Sequence, residues 1–248
     1  MKTVEFGKQN NDVIMLLHGG GLSWSNYKAE AELLKDQYHV VLPILDGHAG
    51  SDNDFISIEK NASRLISFID KEFGGSILLI GGLSLGAQIL VEMLTQQNTI
   101  CQNAVIESAS IIPSRMTNAL IKPMFSLSYG LVKKKCFAQM QFDYLHIRKD
   151  LFEDYYRDTS QISKENMIAF MEANTSYEIK PGLQNAHTKV RILVGEKEQK
   201  KMICSAEQLH KVLPGSVLEI KKGLYHGEYS INHPEEYTKE LLDMINTR

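Results

Sequence analysis

Short apolar runs punctuate the chain, and most are continuous rather than alternating. They are Val13–Leu17, Val40–Leu45, Ser76–Ile80, Ala104–Ile106, Val190–Val194 and Val217–Ile220. Such runs, without polar residues at every second position, mark strands buried on both faces, as in a parallel sheet. Pro43 inside the second run predicts a sheet edge or an irregular strand end. Between the runs lie segments of helical period. Residues 57–73 place Ile58, Leu65, Ile66, Ile69 and Phe73 at helical spacing before Gly74-Gly75 stops them. Leu85–Gln97 follows the third run, and Ser205–Leu213 ends at Pro214-Gly215. The last helix begins at His233-Pro234-Glu235-Glu236, with proline at the first helical position and two acids at the positive end of the dipole. This alternation predicts an α/β fold with a doubly wound, mostly parallel sheet.

One stretch breaks the alternation. Residues 111–188 contain no clear strand and several helical runs. They hold half of the aromatic residues, among them Phe125, Phe137, Tyr155 and Phe170, and half of the methionines. The expected organisation is an α/β core from residues 1–110 and 189–248, with 111–188 inserted as a helical cap, or lid. The aromatic and Met side chains either form that cap's own core or supply adaptable apolar surface to a ligand.

Composition narrows the function. A chain of 248 residues is long enough to bury a substantial core unaided. Its net charge of −3 offers no basic excess for a polyanion, so nucleic acid is not an expected partner. Cys101, Cys136 and Cys204 are odd in number and lack C-x-x-C spacing, which suits free thiols of a reducing compartment. No apolar run is long enough for a signal segment or a membrane span, and a cytoplasmic protein is expected. Metal-ligand and nucleotide-binding motifs are absent from the sequence, so neither a metal nor a cofactor is expected. Lys133-Lys134-Lys135 reads as a solvated face, with an anionic acyl carrier or a membrane surface as the sharper alternative.

The chemistry concentrates in a few places. Gly82-Leu83-Ser84-Leu85-Gly86 is a G-x-S-x-G pentapeptide between a strand and a helix. A serine at so sharp a turn is lifted off the sheet, and the flanking glycines let neighbouring backbone pass closely. The Leu85 N–H, at the helix N-terminus, is placed to stabilise developing negative charge. His18-Gly19-Gly20-Gly21 follows the first run and bends tightly with free N–H groups; His18 reads as a brace for that loop. A serine needs a base to take its proton. Of the eight histidines, His226 alone lies just past the last strand, between Gly223 and Gly227; His48 precedes the nucleophile and is kept as a supporting or substrate-contact residue. The acid that orients the base is sought after Val190–Val194, at Glu198, with Glu107 at the end of Ala104–Ile106 and Glu196 as rivals.

These pieces resemble the α/β-hydrolase superfamily, in its serine esterase and lipase-like branch with a helical cap. The matching segments are His18-Gly19-Gly20-Gly21 with Ser23-Trp24, Asp46-Gly47-His48-Ala49-Gly50-Ser51, the Ser84 pentapeptide, Gly195-Glu196-Lys197-Glu198 and Tyr225-His226-Gly227. The sequence departs from the family pattern in Glu198 where aspartate is commoner, in Ala87 where a second glycine is frequent, and in a shortened N-terminal strand pair. The resemblance implies an oxyanion hole from Leu85 and Gly20, or Gly21 in its place, and a Ser84–His226–Glu198 triad. The expected activity is cleavage of a small to medium acyl ester or thioester through an acyl-enzyme. A menaquinone-pathway-type lyase or a carbon–carbon bond hydrolase is the nearest enzymatic alternative; the lyase needs pocket arginines, and the cap offers only Arg115, Arg148 and Arg157. A non-catalytic ligand-binding protein of the same fold is the further alternative.

Overall fold

The sheet winds outward from its middle. In the structure, a computed structural model describing residues 1–246, the spatial order is β1 (Thr3–Phe6), β3 (His39–Pro43), β2 (Val13–Leu17), β4 (Ile77–Leu83), β5 (Cys101–Glu107), β6 (Lys189–Gly195) and β7 (Val217–Lys221). Every neighbouring pair is parallel except β1 with β3. The chain runs from β2 to β3 in one direction, then returns to lay β4 on the other side of β2. Such a reversal leaves a crevice at the carboxyl ends of the two central strands. Leu17 pairs with Gly82, so the glycine loop after β2 and the serine turn after β4 emerge side by side.

The helices are α1 (Lys28–Leu34), α2 (Ile58–Phe73), α3 (Leu85–Gln96), α4 (Arg115–Val132), α5 (Lys135–Tyr144), α6 (Phe152–Thr159), α7 (Lys164–Ser176), α8 (Lys200–Val212), α9 (Glu228–Asn232) and α10 (Pro234–Asn246). Alternate strand residues serve opposite layers. Met15, Leu17, Ile80, Ile106 and Ile192 pack with α2, α3 and α8, while Ile14, Leu16, Leu79, Val105 and Leu193 pack with α1 and α10. All five residues of β2 are buried, which explains its unbroken apolar run. Ser57 caps α2 by accepting from the Lys60 N–H, and Gly74, at φ 72°, ends it in the left-handed conformation.

Two local features differ from the expectation, and Pro43 takes the strand-end place rather than the sheet edge. β1 and α1 carry no strong periodic signal: β1 is four half-buried residues that gain order only by pairing with β3. That pairing makes β3 an interior strand, and Pro43 is tolerated there as its final residue, opposite Thr3. α8 begins at Lys200, five residues before the predicted start. Between β5 and β6, α4 to α7 form a run of helices in which α4 packs on α7 and α5 on α6.

Candidate active site

Ser84 sits at φ 53°, ψ −110°, a conformation a residue with a Cβ rarely adopts. The turn is held from both sides: the Ser84 N–H donates to the Glu107 carbonyl at 2.9 Å, and the Gln88 N–H donates to the Ser84 carbonyl at 2.9 Å. The glycines are sterically required. A Cβ on Gly82 would lie 2.6 Å from the Gly86 carbonyl oxygen, and one on Gly86 would lie 2.2 Å from that of Leu17. Leu85 opens α3, so its N–H is among those a helix leaves without an intrahelical acceptor.

His226 and Glu198 meet across two loops. The His226 Nδ1–H donates to Glu198 Oε2 at 2.7 Å, which leaves Nε2 as the basic nitrogen. Glu198 Oε1 accepts from the Ser108 hydroxyl at 2.7 Å and from the Gly195 N–H at 2.8 Å. Burial alone would raise the Glu198 pKa; the hydrogen bonds from His226, Ser108 and Gly195 outweigh it and hold the carboxyl below its ordinary value. Gly195 permits the meeting, because a Cβ there would lie 2.4 Å from the Leu224 carbonyl oxygen. The Glu198 side chain is fully buried, whereas that of His226 is 42% exposed toward the crevice.

The rival acids are placed elsewhere. Glu196 is exposed and accepts from the Gly223 N–H. Glu107 is buried under α9, where Oε1 accepts from the Ser230 N–H at 3.3 Å and Oε2 has no partner among the described residues. Burial pushes Glu107 up to about 7, relieved in part by Ser230 and reinforced by the Glu198 charge. Glu30 of α1 is also buried without a partner for either oxygen, and burial with the Glu107 charge pushes it up to about 8. The folded protein therefore holds a proton on Glu30 that the unfolded chain, with a carboxyl near 4.5, releases. Stability from this group is present below about pH 4.5 and declines as pH rises toward 8. Glu30→Gln, a neutral isostere, is expected to stabilise the fold by about 1–3 kcal/mol at pH 8 and by little at pH 5. Denaturant titrations of both proteins at the two pH values measure this.

The glycine loop is braced by two neutral histidines. His18 donates from Nδ1 to the Gly19 carbonyl and accepts the Leu45 N–H at Nε2. His48 donates from Nδ1 to the Asp46 carbonyl and accepts the Gly21 N–H at Nε2, 3.1 Å. Burial lowers the pair to about 4 and about 3, so both stay uncharged and keep these roles at neutral pH. The Gly21 N–H is thereby engaged. The Gly20 N–H has no acceptor among the described residues, and a Cβ on Gly20 would lie 3.4 Å from Leu85 Cδ2. Two free N–H groups, of Gly20 and Leu85, thus belong to adjoining residues beside Ser84.

Ser84, Gly20 and His226 open onto one cavity of about 620 Å³. Its walls include Phe125, Phe137, Met140, Tyr155, Met167 and Phe170 from the helices between β5 and β6. No Lys, Arg, Asp or Glu among the described residues lines it. Arg157, one of the three arginines of that segment, is bound by Asp158 and Asp154. No group of three or more His, Cys, Asp or Glu side chains among the described residues is arranged to hold a metal ion.

Two contributors carry little sequence signal. Ser108, at φ 56°, is visible only as a polar residue just beyond a strand end. Asp158 and Thr159 of α6 bind the glycine loop, accepting from the Ser23 hydroxyl at 2.6 Å and donating to the Gly21 carbonyl at 2.8 Å. Partners 135 or more positions apart leave no local pattern.

A doubly wound sheet whose central strands end in a glycine loop and a strained serine is the α/β-hydrolase architecture. Solved structures share it at low identity. An esterase from Thermogutta terrifontis superposes with a TM-score of 0.80 at 16% identity, covering 99% of this chain and 94% of its own. An enol-lactonase from Burkholderia xenovorans LB400 gives 0.82 at 14%, with 99% and 96% covered, and MenH from S. aureus gives 0.76 at 18%, with 98% and 97%. No curated protein matches the chain. The family is nevertheless explicit in the sequence: the alpha/beta hydrolase family model matches residues 14–228, and the chain belongs to that family. Membership of that family supports a hydrolase enzyme.

Proposed function

We propose that the protein is a serine hydrolase that cleaves esters or thioesters of an uncharged, small to medium acyl chain, with residues 111–188 acting as its cap. The observation that carries this reading is the cavity: the strained Ser84 and the Glu198-bound His226 share one space whose walls are mostly apolar and, among the described residues, carry no Lys, Arg, Asp or Glu. Ser84 Oγ attacks the acyl carbonyl while His226 Nε2 takes its proton. Glu198 holds His226 in the tautomer with the proton on Nδ1 and stabilises the imidazolium. The N–H groups of Gly20 and Leu85 stabilise the oxyanion. His226 then protonates the leaving group and activates the water that releases the acid. A lyase acting on carboxylate-bearing substrates has against it the absence of any cationic side chain from the described cavity wall.

Hydrolysis of p-nitrophenyl esters from acetate to decanoate tests the reading. Each buried methylene contributes about 0.8 kcal/mol, or about fourfold. kcat/KM is expected to rise by about that factor per methylene until the cavity is filled, then to fall. A flat profile would remove the cavity as the acyl site. Failure of a fluorophosphonate probe to label Ser84 would remove the serine mechanism itself.

A further inference from the structure

The helix α4 turns an apolar face away from the protein. Met116, Leu120, Met124, Leu127 and Leu131 follow one another at steps of three or four residues, which places them along one side of the helix. They are 78%, 59%, 53%, 90% and 40% exposed. On α5, which packs against α4, Met140 and Tyr144 are exposed one turn apart. The other side of α4 is the one that builds the fold. Ile121 and Val132 are buried there, Asn118 donates to the Glu172 carbonyl of α7, and the Tyr129 hydroxyl donates to the Ile162 carbonyl. An apolar stripe of this length is not the scatter of single exposed side chains that a soluble surface tolerates.

From the start of α4 to the end of α5, residues 115–144 carry five bases and one acid, Asp143. The bases are Arg115, Lys122, Lys133, Lys134 and Lys135, in a chain whose net charge is −3. Lys135 pairs with Glu153, while the other four have no carboxylate partner among the described residues. We propose that the α4–α5 face docks on an anionic phospholipid surface, with the apolar stripe at the acyl boundary and Lys133 and Lys134, at the carboxyl end of α4, at the headgroup phosphates. A second copy of the chain would bring the same positive face against itself. An acidic carrier would answer the lysines but leave the leucines uncovered. No helix among the described residues is long and apolar enough to cross a membrane, so the fit is to a helix lying on the surface. Met140 and Tyr144 belong both to this face and to the cavity wall, giving an apolar route from the surface to Ser84. Only the use of that route rests on the ester-cleaving function proposed above.

Co-sedimentation with phosphatidylglycerol–phosphatidylcholine vesicles, against pure phosphatidylcholine vesicles, tests the docking without reference to activity. Wild type and Ser84→Ala are expected to bind the anionic vesicles equally, to bind neutral ones at least about tenfold less, and to release when salt is raised to about 0.5 M. Leu127→Glu and the double variant Lys133→Glu/Lys134→Glu are each expected to lose about tenfold or more in partitioning. Leu127 does not line the cavity, so Leu127→Glu should keep its circular dichroism and its turnover of soluble p-nitrophenyl acetate. Equal binding to both vesicle types, or unchanged binding by Leu127→Glu, overturns the proposal. So does a concentration-dependent dimer lost in Leu127→Glu without vesicle binding, which would assign the face to a second copy. Retention on an acidic acyl-carrier protein without vesicle binding would assign it to that partner.

Discussion

Replacing Ser84 by alanine is expected to lower kcat on the preferred ester about 10⁶-fold, the scale seen when the nucleophile of an interdependent Ser–His–acid unit is removed. The fold should persist. Alanine retains the Cβ, so the left-handed φ of 53° costs the variant what it costs the wild type. Turnover and fluorophosphonate labelling should therefore vanish together, with the melting temperature little changed. Ser84→Gly separates strain from chemistry. It is equally inactive in this mechanism, but glycine adopts positive φ without the Cβ penalty, so it should be more stable than Ser84→Ala by about 1 kcal/mol. An inactive Ser84→Ala with a lowered melting temperature would mean that the hydroxyl supports the turn. Substantial residual turnover would place the nucleophile elsewhere.

The sequence made the interior of the sheet legible because burial on both faces writes itself as unbroken apolar runs. β2 and β4 could be located for that reason, and with them the two loops that meet across the switch point. The G-x-S-x-G turn was legible for a steric reason: both glycines are places where any side chain would strike backbone. β1 and α1 were not, since a four-residue half-buried strand and a seven-residue helix acquire definition from their partners rather than from their own period. The acid was ambiguous for a related reason. Glu107, Glu196 and Glu198 all lie at the carboxyl ends of neighbouring strands, and the sequence does not say which oxygen reaches a histidine 28 positions from Glu198. The exposed stripe on α4 is not legible in the sequence because Met116, Leu120, Met124, Leu127 and Leu131 have the spacing of a core face. Only the packing on α7 shows that the opposite side of the helix is the buried one.

Glu198→Gln is expected to lower kcat about 10⁴-fold, the loss associated with an acid-to-amide change that leaves the triad geometry in place but favours the wrong imidazole tautomer. The hydrogen bonds around Glu198 give the reason for this expectation. Both Glu198 oxygens accept: Oε2 from His226, Oε1 from Ser108 and from the Gly195 N–H. An amide has one accepting oxygen and one donating NH₂. If the oxygen keeps Ser108 and Gly195, the NH₂ faces His226 and demands an unprotonated Nδ1, which moves the proton to Nε2 and removes the base. If the oxygen turns to His226, the NH₂ confronts the Gly195 N–H. Glu107→Gln is the contrasting case. Burial holds Glu107 up to about 7, so an amide resembles the protonated acid already present, and kcat near pH 6 should stay within about threefold of wild type. Steady-state kinetics of the two variants on one ester decide between the carboxylates, because a reversed pattern would transfer the orienting role to Glu107. The same comparison bears on the histidine. An imidazolium formed during attack is stabilised by an ionised partner in contact with it, and Glu198 is the carboxylate held below its ordinary pKa by that contact. Glu107 has no such contact and is held in the opposite direction.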